Sequence, residues 1–67
     1  MYIVAGTKNK VEKGTEVTLT DGVNKGRKAT FITGKPKERA HGTLFDVKVE
    51  GIGLRSYNVL VLGVEKA

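Results

Sequence analysis

Apolar residues along this chain of 67 residues recur at every second position, not every third or fourth. In "TEVTLT" (15–20) Val17 and Leu19 alternate with Glu16, Thr18 and Thr20. "TLFDVKVEG" (43–51) alternates Phe45, Val47 and Val49 with Asp46, Lys48 and Glu50. "KATFITG" (28–34) sets Ala29, Phe31 and Thr33 on one face, Thr30 and Ile32 on the other. A period of two places each set on one side of a pleated strand, so these runs predict strands with Val17, Leu19, Ala29, Phe31, Phe45, Val47 and Val49 facing a core. "YIVA" at the N-terminus is another β-forming run. "YNVLVLGV" (57–64) is apolar on both faces and reads as a strand covered on two sides.

Turn residues fall between these runs. Nine glycines, among them Gly14, Gly22, Gly26, Gly34, Gly42, Gly51 and Gly53, offer the positive-φ positions that hairpins need. No window carries apolar residues at i, i+3, i+4 and i+7 over a helical length. "KPKERAHG" has room for at most one helical turn between Pro36 and Gly42, and 35–41 reads as a loop. The expectation is a single all-β domain over residues 1–67: five or six short strands curled into a small barrel that leaves few open edges.

Charge changes the picture next. The net charge of +5 is unevenly spread. Lys25, Arg27, Lys28, Lys35, Lys37 and Arg39 face only Glu38 within 22–42, and Lys8, Lys10 and Lys13 face only Glu12 within 8–13. The remainder of the chain is net acidic. Cations gathered in two short segments are the footprint of a polyanionic partner, since charge serving solubility alone gains nothing from being concentrated.

Candidate chemistry is thin. His41 is the only histidine and cysteine is absent, so the usual three- or four-ligand metal sites and a nucleophile–base–orienter set lack their parts. "GIGLRS" (51–56) imitates the start of a dinucleotide fingerprint but lacks its last glycine and the βαβ unit around it. The expectation is a protein that is not an enzyme and takes no cofactor. Without cysteine or a long apolar run, and with "MYIVAG" lacking a basic n-region and too short for a secretory apolar stretch, the chain is expected to be cytoplasmic and to have no membrane partner.

Residues 13–32, "KGTEVTLTDGVNKGRKATFI", resemble the KOW motif of ribosomal large-subunit proteins and of transcription elongation and antitermination factors. Gly14, Val17, Leu19, Gly22, Gly26, Phe31 and the basic "NKGRK" occupy the positions of that pattern. "FDVKVEGIGL" (45–54) resembles the strand and turn that follow it. The chain departs from the pattern at Ala29, where the motif has its last glycine, and at Val23 and Asn24, where a proline–aromatic pair is frequent. Ala29 implies a negative φ at that position or a slightly remodelled turn.

The resemblance implies an SH3-like barrel whose glycine loop touches RNA or a neighbouring protein. On that basis Asn24, Lys25, Arg27 and Lys28 are the expected nucleic-acid contacts from one loop; the clustered charge adds Lys35, Lys37 and Arg39 from another, with RNA ahead of DNA. The expected setting is translation or transcription, on the ribosome or another large ribonucleoprotein. The alternative is a protein-interaction barrel docking on a machine such as RNA polymerase through 59–64 or the basic loops. Four aromatic residues are few for a single-strand stacking platform, which favours contacts to a structured backbone.

Overall fold

A computed structural model describes residues 1–67. Seven strands and one helical turn follow in the order β1 (Tyr2–Val4), β2 (Glu16–Thr18), β3 (Lys28–Phe31), β4 (Lys37–Arg39), β5 (Gly42–Val49), β6 (Gly53–Asn58), α1 (Val59–Leu62) and β7 (Val64–Lys66). The domain is all-β, as the period of two predicts. β1 and β7 form a two-stranded antiparallel sheet, and the other five strands form a second antiparallel sheet. No helix is long and apolar enough to cross a membrane.

β5 organises the larger sheet. It is eight residues long, and β6 pairs with one of its edges over six residues. Its other edge pairs twice, with β3 through Phe31↔Val47 and with β4 through Lys37↔Leu44. β3 and β4 are thus two halves of one strand, interrupted where the five residues 32–36 oppose only Phe45 and Asp46. Segment 35–41 is therefore not a loop throughout. β5 outruns β3 and leaves edge groups at 42–44, which 37–39 satisfy. The turn is only Ala40–His41, followed by Gly42 at φ 132°.

The interruption bulges onto the segment before β2. A Cβ at Gly34 would lie 2.8 Å from the Val11 carbonyl oxygen, so glycine is required there for space and not for φ.

The run 57–64 is not a strand either. Asn58 ends β6 and caps a helical turn, its side-chain oxygen accepting from the Val61 amide at 3.0 Å. Gly63, at φ 67° and ψ 37°, closes the turn in the left-handed region. Caps at both ends override the strand preference of Val59 and Val61.

All seven residues expected to face inward are buried, and Val11, Leu62 and Val64 complete the core. Phe45 meets Phe31 and Tyr2, each edge-on with ring centroids 5.2 Å apart. With so small a core, Phe31→Ala is expected to cost about 3–5 kcal/mol, most of the stability of a domain this size. Gly34→Ala is expected to cost about 1–3 kcal/mol, because the Val11–Glu12 backbone must move aside. Urea unfolding checks both; unchanged midpoints would contradict the core and the bulge as described.

Candidate nucleic-acid interface

The glycine loop grows out of the β2–β3 hairpin. The ladder extends past the regular strands, with the Leu19 amide donating to the Arg27 carbonyl and the Gly26 amide to the Leu19 carbonyl, both at 2.9 Å. Inside this frame the chain reverses through Gly22 at φ 85° and Gly26 at φ 94°, conformations that side chains with a Cβ resist. The Asp21 carboxylate accepts from the Gly22 amide at 2.7 Å, and the Lys25 amide donates to the Gly22 carbonyl at 3.2 Å. No residue other than glycine has positive φ, so Ala29 is an ordinary strand residue, as its departure from the motif implies.

The loop is tied down on two sides. The Thr20 hydroxyl donates to the carbonyls of Leu60 and Val61, at 2.7 and 3.1 Å, and its amide donates to Val61 at 2.8 Å. The Asn24 side-chain amide donates to the Tyr57 hydroxyl at 2.9 Å. Asn24 is thereby half-buried and bound within the molecule. That bond ties the loop to β6. Val23 at the tip is fully exposed.

Lys25, Arg27, Lys28, Lys35, Lys37 and Arg39 are all exposed. One guanidinium nitrogen of Arg27 reaches the Glu50 carbonyl at 3.3 Å, and one of Arg39 reaches the Glu38 carbonyl at 3.1 Å. Neither contact neutralises charge. Lys37 alone is paired, its ammonium 2.7 Å from an Asp46 oxygen, and this is the one ion pair in the protein.

β5 separates the two basic groups. The Glu50 amide donates to the Lys28 carbonyl at one end, and Arg39 pairs with Gly42 at the other. Eight extended residues lie between, on the order of 26 Å at about 3.3 Å each. The groups do not converge on one pocket. Three of the six share a face instead: Lys28, Lys37 and Arg39 lie opposite or beside the even-numbered residues of β5, which point away from Phe45, Val47 and Val49.

Lys48 belongs to this face too, although in sequence it lies apart from both cationic segments. It pairs with Thr30 of β3 and, with Lys28, lines an open groove of about 510 Å³ whose rim carries Glu16 and Glu50. Alternation along 43–51 shows that Lys48 points outward. Only the register of β3 against β5 sets it beside Lys28. Tyr2 and Tyr57 are both half-buried, Tyr2 with its ring against Phe45 and Tyr57 with its hydroxyl held by Asn24.

In comparison with known proteins, no family model, no curated protein and no solved structure matches this chain.

The Asp46 carboxyl is held below its ordinary value, first by the hydrogen bond from Lys37 and then by that from Ser56. A carboxyl depressed in the folded state adds stability above its unfolded pKa of about 4, and loses it as the pH falls through the folded value. The thermal stability of the parent is therefore expected to fall with acidification below about pH 4. Asp46→Asn is expected to flatten part of that slope. Superimposable acid profiles would show the pair to be absent in solution.

Proposed function

We propose that this chain is an RNA-binding module that grips the phosphate backbone of a structured RNA. Lys25, Arg27 and Lys28 act from the glycine loop; Lys35, Lys37 and Arg39 act from the bulge and β4. The observation that carries this reading is the imbalance of charge: of these six exposed cations, only Lys37 has a carboxylate partner. Exposed cations spread from the glycine loop to β4 suit successive phosphates better than a compact anion. Lys48 adds to them. The KOW resemblance supports the same reading, and the setting we propose with it is translation or transcription, as an accessory to the ribosome or to the transcription machinery.

A second reading rests on a different observation. Val23 is fully exposed at the tip of the loop, and Leu60 is 78% exposed on α1, to which the loop is hydrogen-bonded. Two exposed apolar side chains beside a basic loop also suit an acidic protein surface with an apolar centre, such as a subunit of RNA polymerase.

Titration of a synthetic RNA hairpin against salt tests the first reading. With four to six phosphates engaged, log K against log salt is expected to fall with a slope of about −3 to −5. Replacing Lys25, Arg27 and Lys28 together by glutamate is expected to abolish binding at about 0.15 M salt, where phosphate contacts are already weakened. Replacing Lys66, which lies outside both cationic segments, by glutamate is expected to cost much less for each charge reversed. Equal losses per charge would reduce the interaction to non-specific attraction. A DNA hairpin of the same sequence is expected to bind more weakly, for want of the 2′-hydroxyl and of A-form geometry. Absence of binding to either hairpin at about 0.05 M salt, where backbone attraction is strong, would leave the protein-docking reading. Capture of the same protein partner from nuclease-treated and untreated lysate would then support it.

A further inference from the structure

Every sheet edge is a template for another strand unless something blunts it. The free edge of β4 is "KER", three exposed charged residues behind Pro36. That of β2 is three residues long, carries Glu16 and ends under α1 through the Thr20–Val61 bond. β1 is covered by 9–11 and β7 is short and charged at Glu65 and Lys66. β6 differs. It is six residues long, "GLRSYN", contains no proline and one charge, and pairs only with β5.

The direction of its backbone groups follows from its neighbours. Asp46 and Glu50 use their backbone groups toward β3, so alternation turns those of Phe45, Val47 and Val49 toward β6. Their partners Tyr57, Arg55 and Gly53 then bond inward to β5, which leaves the amides and carbonyls of Leu54 and Ser56 on the open edge. Leu54 itself is 61% exposed.

Arg55 breaks the pattern of this strand. It pairs with Val47, a fully buried residue, and so lies on the face where an apolar side chain is expected. Its own side chain is nevertheless exposed, and one guanidinium nitrogen donates to the Leu54 carbonyl at 2.7 Å. That carbonyl is one of the open-edge acceptors. The guanidinium thus occupies a position that the amide of an added strand would need.

We infer that Arg55 is an edge guard that keeps this chain from pairing with a second copy of itself through β6. A two-fold pair of β6 edges must break two Arg55–Leu54 bonds at once. The register centred on residue 55 sets two guanidiniums directly opposite each other, and like charges so placed repel. The net charge of +5 on each copy adds to the barrier.

Sedimentation over a range of protein concentrations tests this, with circular dichroism to confirm that each variant is folded. The parent and Arg55→Lys are expected to be monomers. Arg55→Val, and Arg55→Thr should the valine variant fail to fold, is expected to self-associate at least about tenfold more tightly, since a two-fold interface counts each change twice. Adding Ser56→Pro removes an edge amide and is expected to restore the monomer. Three results would overturn the inference: a folded Arg55→Val or Arg55→Thr that stays monomeric, association that survives Ser56→Pro, or a parent that already dimerises through β6.

Discussion

Phe45 is the contact on which both sheets depend. From the middle of β5 its ring meets Phe31 of the same sheet and Tyr2 of the other, both edge-on. Edge-to-face pairs add to the area they bury, and here they also bridge two sheets that no continuous ladder joins. The buried core is apolar throughout, and its members line up on the inner face of β5 and around it. A chain of this length has no reserve core to fall back on, so loss of that cluster removes the reason for the sheets to meet.

The same strand governs the candidate interface from its other side. Because β5 alternates strictly, the residues that fill the core also dictate which cations share the outer face. Lys48 is fixed outward by Val47 and Val49 on either side, and Lys28 and Lys37 are fixed by their pairing to β5. The length of β5 is also what separates the two basic groups. An extended polyanion suits that spacing, whereas the tethered loop with Asn24 and Thr20 as its anchors presents its cations without a large ordering cost on binding. Fold and charge pattern are consequences of one strand, read from its two faces.

Edges show the opposite economy. β4 and β2 are kept from aggregation by their own charges and shortness, at no cost to the core. β6 is long and nearly neutral, and its single charged residue stands where the core side calls for an apolar one. Arg55 resolves the conflict by turning to the edge and bonding Leu54.

The sequence by itself determined the all-β class, the inward residues of three strands, the positive-φ glycines of the basic loop and the clustering of charge. Each is local: alternation, turn chemistry and composition act within a few residues and need no knowledge of neighbours. Tertiary structure decided what depends on pairing. Residues 37–39 became a strand only because β5 extends past β3, and 59–62 became a helical turn because Asn58 and Gly63 cap it at both ends. The pairing of Lys37 with Asp46, the place of Lys48 beside Lys28, the capture of Asn24 by Tyr57 and the turn of Arg55 onto Leu54 all depend on register or on contacts distant in sequence. Register is a property of two strands, and neither strand carries it alone.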